Sequence, residues 1–589
     1  MTSSVDPRWV EAADEPVDTA VEVGDSLVGD TLAGSVWTSV SRITGFVRAA
    51  AIAAVLGATY FGNTFQALNS LPNLVYYELL AGSLFASVLV PVLVRHLDRD
   101  DPDRARDILT GFLGAMLIVG LAASVALLVG GYFILQIMAA GVSNPQIAAA
   151  QRHVGAIFLV LFVPQVCLYM IAGIGAAAQN ARHKFALSSG APALENVGIL
   201  AFLALSVWWF GSQTDITKVG NGPVVVLGLG ATLAVAFHAA LQWWGGRRVG
   251  MSMMPRRGWH DDEVRVVVRR MVPALAFSGF AFVQVLVFLV AANRVAGGVV
   301  ALQLALNFFY LPLAVVAWPI ARALLPQLAH TKEADDGPGK FNEQFRRAVA
   351  LASFLAIPIA AVYLSLSFPL ARAVAFGKLH ADGVHLLGWS IAAIGLGVVF
   401  ETWFILGTYA SYAREDMRTP LGPMALRVGV SLALMVAVLP VHGGAFVPLL
   451  AAALAAGSLA GSLRLSVLVR RTLRPEVQLP REGDANGARV IPMPTPRMSS
   501  SEAKLRLGSS LFRSVVASIV LAGPAWFVTT LVEHLGSGKL IEVAALLAGC
   551  VVGGLAFIGA HLLLRSPELG WIMSSAGRKG TPLDELAAP

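Results

Sequence analysis

The sequence predicts an all-α polytopic membrane protein of about fourteen transmembrane helices, and three observations carry that expectation. Of 589 residues, 56% are hydrophobic and 13% charged, too little polar surface to cover a soluble globule of that size. Apolar stretches long enough to cross roughly 30 Å of hydrocarbon recur almost from end to end. Lys and Arg concentrate in alternate loops, the pattern of a chain threaded back and forth across a bilayer.

Residues 1–30 hold Asp6, Glu11, Asp14, Glu15, Asp18, Glu22, Asp25 and Asp30. A secretory signal begins basic and turns apolar early, so this segment is expected to be a disordered acidic tail instead. Spans are then expected near 31–57, 64–94, 108–140, 153–178, 186–210, 222–245, 271–293, 296–328, 346–375, 384–412, 421–440, 444–469, 510–534 and 539–564. The joint "NRVAGG" must make a complete turn, or every later loop changes side. Residues 246–270 form a basic loop, 471–509 a Pro-, Arg- and Ser-rich disordered linker, and 566–589 a final tail.

About 30 Lys and Arg fall in one set of alternate loops and about 5 in the other. That bias puts both termini in the cytoplasm and makes the chain a multi-pass protein of the bacterial cell membrane. It also accounts for the basic isoelectric point without nucleic-acid binding, while leaving contact with anionic lipid open. The cysteines, Cys167 and Cys550, lie in apolar segments without ligand-type neighbours, so neither a disulfide framework nor a metal site is expected.

The chemistry is expected in the first span, "SVWTSVSRITGFVRAAAIAAVLGA". An arginine in hydrocarbon costs ~3 kcal/mol or more and normally faces a bundle interior or an aqueous cavity. Arg42 and Arg48 are six residues apart, about 120° around a regular helix, and converge on one ligand only if the helix bends at Thr44-Gly45. Two readings stand: an anion-binding cavity, or snorkelling by Arg42 with Arg48 paired to a carboxylate such as Glu78. Other charges in or beside spans are Arg294, Arg322, Glu401 and Arg427. Glu401 reads either as an ion-coupling carboxylate or as half of a structural ion pair. His238 lies alone inside a span, where hydrogen-bonded packing is commoner than a proton relay. Pairs Trp208-Trp209 and Trp243-Trp244 read as interfacial anchors, and prolines 164, 273, 312, 319 and 358 as kinks. No phosphate-cradling loop, zinc-peptidase pair or nucleophile elbow occurs, so no enzyme is expected.

Several segments, in order, resemble the MurJ (MviN) family, the lipid II flippases of bacterial cell-wall synthesis. They are "SRITGFVRAAAIAAVLGATYFGNTFQALNSLPNLVYYELLAGSLFASVLVPVLV", "AAAQNARHKFALSSGAPALENVGIL", "LPLAVVAWPIARALLPQLA", "FGKLHADGVHLLGWSIAAIGLG" and "SYAREDMRTP". The resemblance implies a fold of the multidrug/oligosaccharidyl-lipid/polysaccharide flippase superfamily. In it, two six-helix lobes, 31–245 and 271–470, are related by a pseudo-two-fold, with two extra helices at 510–565. It further implies a central cavity, opened alternately to each side, in which Arg42 and Arg48 meet the diphosphate of lipid II while its polyprenyl tail stays in a groove along the extra helices. Guanidinium forks suit a diphosphate chemically.

Three positions depart from the family pattern. Asn63 stands where an acidic residue is usual, Tyr76-Tyr77 where a basic pair is usual, and Leu306-Asn307 where an Asp-Arg pair is usual. With Glu78, Glu401 and Arg322, residues Asn63 and Asn307 are carried as candidate cavity or ion-coupling positions. No cofactor is expected; transport would draw on the membrane potential or an ion gradient. The expected partners are lipid II, membrane lipids and proteins of cell-wall synthesis. Two other functions fit the neutral positions: a non-transporting scaffold of cell-wall synthesis, and an exporter of another lipid-linked glycan.

Overall fold

The computed structural model describes residues 19–76, 89–258, 260–331, 337–472, 507–536 and 538–571. Glu78, Tyr77, most of the acidic tail and nearly all of the expected linker lie outside the described residues. The described chain is helical, with no strand.

The first span is α1 (Thr19–Leu56). It begins well before the expected residue 31 and takes Glu22, Asp25 and Asp30 into the helix. Propagation from a nucleated span adds one hydrogen bond per residue, which carries the helix back through this stretch. The second span is divided between α2 (Tyr60–Leu74) and α3 (Val90–Leu97). Next comes α4 (Pro102–Ala140), started by Pro102 with Asp101 accepting from the Arg104 amide. The same device, Asn144 before Pro145, starts α5 (Pro145–Phe162). Pro164 separates α5 from α6 (Gln165–Ala181) within one continuous crossing. Two unbroken helices follow, α7 (Phe185–Phe210) and α8 (Asn221–Arg248).

Residues 262–270, expected in a basic loop, are instead the first turns of α9 (Asp262–Ala292). Asp261 caps them by accepting from the amides of Glu263 and Val264. The joint after α9 does make a full turn. Gly297 at its end has φ +73°, and a Cβ there would overlap Ala58. Then come α10 (Gly298–Pro312), a π-helical turn over Leu313–Ala317, and α11 (Trp318–Thr331). The π turn follows directly on Pro312, which lacks the amide hydrogen of a regular ladder. The chain continues through α12 (Gly337–Ser365), α13 (Ser367–Val374), α14 (Ala381–Ala413), α15 (Leu421–Val438) and α16 (Phe446–Thr472), ending with α17 (Leu507–Glu533) and α18 (Lys539–Leu563).

Among the described residues, twelve helical stretches are long and apolar enough to cross a membrane. With α9, whose apolar part is Phe277–Ala292, and the α2–α3 segment, every expected span has a helical counterpart. The protein is a multi-pass membrane protein.

Two apolar cores organise it. The first gathers Phe61, Phe65, Phe112, Phe158, Phe162 and Met170 from α2 and α4–α6, with α7 and α8 packed around them. The second gathers Leu302, Phe309, Leu387, Ile391, Phe446 and Leu450 from α10, α14 and α16. Helix α9 is shared, with Val264 and Val267 in the first core and Phe288 and Leu289 in the second. A smaller cluster, including Phe354, Leu366, Leu521 and Phe557, seats α17 and α18 against α12 and α13. Where α17 crosses α18, Gly549 lies so close to Thr529 and the Ala525 carbonyl that any side chain would collide.

The two core groups, called lobes below, meet at the end of the bundle where α1 finishes and α10 begins. There Asn63, fully buried, donates to the Val295 carbonyl at 2.8 Å and accepts from the Val299 amide at 3.0 Å. Gln151 and Asn293 exchange two side-chain hydrogen bonds at 2.9 and 3.0 Å, and Asn293 also donates to the Met138 carbonyl. Further along the seam, Gln303 donates to Ser70 at 2.6 Å. At the opposite end, Arg104 makes a paired contact with Asp261 at 2.8 and 3.0 Å, which fastens the start of α9 to α4.

Candidate functional site

Helix α1 positions both candidate arginines. It lies along α7, where the Asn196 amide donates to the Ser41 carbonyl at 3.3 Å and to Thr44 Oγ1 at 3.1 Å. Thr44 also donates to Ser41. A Cβ on Gly45 would come to ordinary contact distance, 3.5 Å, from Asn196. The expected bend at Thr44-Gly45 is not formed: α1 is continuous through both residues, and Asn196 supports it there.

Because the helix is straight, its arginines diverge, as their spacing requires. Arg42 is exposed and reaches across to the second lobe, its guanidinium 5.4 Å from the centre of the Trp318 ring on α11. Arg322 is exposed on the same helix, one turn beyond Trp318. Arg48 turns towards the first lobe. Its side chain is 24% exposed, and its Nη1 stands 3.8 Å from Glu195 Oε1. That distance is an electrostatic contact and not a hydrogen bond, so the guanidinium keeps donors for a ligand.

Glu195, on α7, is the member of this group that sequence reasoning missed. Its signal was present: a carboxylate in the middle of an apolar helix, inside the "APALENV" segment used for the family resemblance. It is buried, accepting from the Tyr169 hydroxyl at 2.9 Å and facing His238 Nδ1 at 2.7 Å. Tyr76 stacks on Tyr169 with centroids 4.9 Å apart. Position 76, where the family pattern has a basic residue, therefore carries an aromatic wall of the Glu195 cluster.

The remaining candidates disperse. Asn63 belongs to the seam between the lobes. Its amide satisfies the start of α10, a role for which a short polar side chain suffices and a charge is not needed. Asn307 donates to the Gln303 carbonyl of its own helix. Glu401 receives Arg427 Nη1 at 2.8 Å and the Ser458 hydroxyl at 2.8 Å, so the second lobe holds it in a buried ion pair. Trp208 and Trp209 are strongly exposed at the end of α7, as interfacial anchors are. Arg247 and Arg248 lie over Trp243 and Trp244 at the end of α8.

An apolar groove of about 460 Å³ lies where the π turn, α12, α17 and α18 come together. Pro312, Val315, Pro358, Leu521, Cys550 and Gly554 contribute to its walls. It is suited to a hydrocarbon chain, since apolar walls in contact with lipid present no polar group to hydrate.

Comparison with known proteins adds the family. The family described as lipid II flippase MurJ matches residues 52–535, starting just after Arg48. A probable lipid II flippase MurJ of Rhizobium meliloti (strain 1021) is 29% identical over 404 residues, covering 67% of this chain and 72% of that protein. One from Vibrio cholerae is 24% identical over 413 residues, covering 68% and 75%. Among solved structures, a lipid II flippase MurJ in an inward closed conformation superposes with a TM-score of 0.66 at 15% identity, covering 91% of this chain and 99% of that one. An inward-facing MATE family transporter of the MOP superfamily gives 0.60 at 10%, covering 74% and 98%. At those identities the likeness to the two structures is one of fold. The family match, in contrast, runs through both lobes and into α17, and the chain belongs to the lipid II flippase MurJ family.

Proposed function

We propose that this protein moves lipid II from the cytoplasmic to the outer leaflet of the bacterial cell membrane by alternating access. The observation that carries the reading is the family match across residues 52–535. Three features of the molecule support it. Arg42 and Arg48 lie on α1 with donors to spare, one turned to each lobe, where an anionic headgroup between the lobes would meet both. The apolar groove beside α17 and α18 offers the polyprenyl tail a path that never leaves hydrocarbon. The lobes are hydrogen-bonded at one end only among the contacts described above, so opening that seam while closing the other end would reverse access. The basic loops lie at the end opposite the seam, which supports cytoplasmic termini and an outward-facing seam. No nucleotide-binding loop is present in the sequence, and the cycle would draw on the membrane potential or an ion gradient.

A second reading, a non-transporting regulator of cell-wall synthesis, draws on the neutral positions: Tyr76 is packed, Asn63 serves the seam and Asn307 bonds its own helix. One experiment separates the two. In a strain depleted of its resident flippase, this protein is expected to restore lipid II translocation. Arg42→Ala and Arg48→Ala should each lower the rate about tenfold or more, the loss of a charge-assisted contact to phosphate. Full rescue by the double variant would remove the arginines from the mechanism; absence of rescue by the native chain would favour the regulator.

A further inference from the structure

Among the described residues each lobe buries one carboxylate, and their partners differ in kind. Glu401 is matched by Arg427, which never deprotonates, and by Ser458. Glu195 is matched by His238, the one side chain whose ordinary titration falls near neutrality. A pair of the first kind is permanent; the second changes net charge by one on taking up a proton.

We propose that Glu195 and His238 form a proton-responsive site that tunes headgroup binding, with Arg48 as the element through which proton occupancy is felt by the anionic headgroup. The inference rests on the flippase reading above and adds to it a proton-linked control of headgroup binding. The hydrogen-bond arrangement fixes the chemistry. An ionised Glu195 can only accept, and it already takes the Tyr169 hydroxyl on Oε1, so Oε2 holds His238 as the Nδ1–H tautomer. The free lone pair is then on Nε2, and that atom takes the proton. Before uptake the pair carries one negative charge, and Arg48, 3.8 Å away, is drawn to it. After uptake the imidazolium balances the carboxylate inside the lobe, and the Arg48 charge is released to the cavity side. Proton and diphosphate therefore bind cooperatively, each favouring the other, as linkage requires.

Among the described residues, the groups facing Glu195 each lie on a different helix: Arg48 on α1, Tyr169 on α6 and His238 on α8. Behind Tyr169 stand Tyr76 and Asn73 of α2. His238 and Glu195 share a 2.7 Å hydrogen bond, so a proton taken up here belongs to the two side chains together.

The test uses the purified full-length protein with lipid II as the probe, in weakly buffered detergent solution containing a pH indicator, between pH 5.5 and 8. Lipid II titrated alone is subtracted. The native chain should take up protons on binding lipid II, approaching one per chain, and its affinity should rise about tenfold from pH 8 to pH 6. Glu195→Gln and His238→Gln should abolish the uptake and flatten the affinity profile. His153→Gln, at an exposed histidine outside the pair, should retain both. Binding with no proton uptake at any pH, or an unchanged profile in Glu195→Gln and His238→Gln, would overturn the proton-responsive site and leave the flippase reading intact. Absence of lipid II binding at every pH would overturn both. If either variant fails to fold, uptake by the native chain and by His153→Gln still decides.

Discussion

Glu401 and Arg427 show what a buried ion pair contributes to a membrane bundle. Both side chains are nearly enclosed, Arg427 also lies over the Phe404 ring, and its Nη1 meets Glu401 at 2.8 Å. Removing one partner leaves an uncompensated charge in low dielectric, a loss of about 3–5 kcal/mol, whereas removing both leaves none. Glu401→Gln and Arg427→Met are therefore each expected to lower the unfolding temperature of the detergent-solubilised protein markedly. The double variant should recover most of the loss; additive losses in that double-mutant cycle would show that the pair is not coupled. Both residues are visible in the sequence as charges in apolar spans. Their pairing is not, because they lie on different helices and only packing brings them together. Glu195 was harder to see for a related reason: its partners come from three other helices, and nothing local to "ALENVG" announces them.

At the scale of elements, a capping residue before proline starts α4 at Asp101-Pro102 and α5 at Asn144-Pro145, ahead of the expected spans 108–140 and 153–178, because apolar length does not register polar first turns. The start of α9 was misread because its first turns, "DDEVRVVVRR", are polar enough to pass for a loop. They are ordered by Asp261, which caps the helix and receives Arg104. Burial alone would raise the Asp261 carboxyl, but the Arg104 guanidinium and the amides of Glu263 and Val264 outweigh it and hold its pKa below the ordinary carboxylate value. A depressed carboxylate contributes stability that is present above its unfolded pKa, near 3.9, and lost as pH falls through the folded one. Asp261→Asn should accordingly lower the unfolding temperature at pH 7 by about 2 to 4 °C. The gap to the native chain should close as pH drops below about 4; a gap constant with pH would contradict the clamp. The groove beside α17 and α18 makes a separate prediction. Gly554 borders it and has open space where a side chain would stand. Gly554→Trp should fill the groove and slow lipid II translocation several-fold without shifting the unfolding temperature.

For the whole molecule, the decisive feature is that, among the contacts described above, the hydrogen bonds between the lobes gather at one end. Exchange of hydrogen bonds is reversible in a way that a broad apolar interface is not, since water can replace each partner as the seam opens. Ser70 and Gln303, 2.6 Å apart on α2 and α10, sit on that seam. Cysteines at both positions, joined by a short bifunctional thiol reagent, should hold the lobes together and arrest translocation. Each single variant should still transport after the same treatment. Transport by the cross-linked pair would mean that the lobes do not separate here.

The sequence by itself determined the class of protein, the order of its helical segments, and the common end at which its basic loops gather. These follow from apolar length and charge placement, which act locally and need no knowledge of neighbours. Only the tertiary structure decided what the intramembrane charges do. It turned Arg42 and Arg48 to opposite lobes on an unbent helix, assigned Asn63 to the seam, and paired Glu401 with Arg427. It also set Glu195 between a histidine, a tyrosine and an arginine. A charge in hydrocarbon takes its meaning from whatever stands within a few ångströms of it, and in a helical bundle those groups arrive from distant parts of the chain.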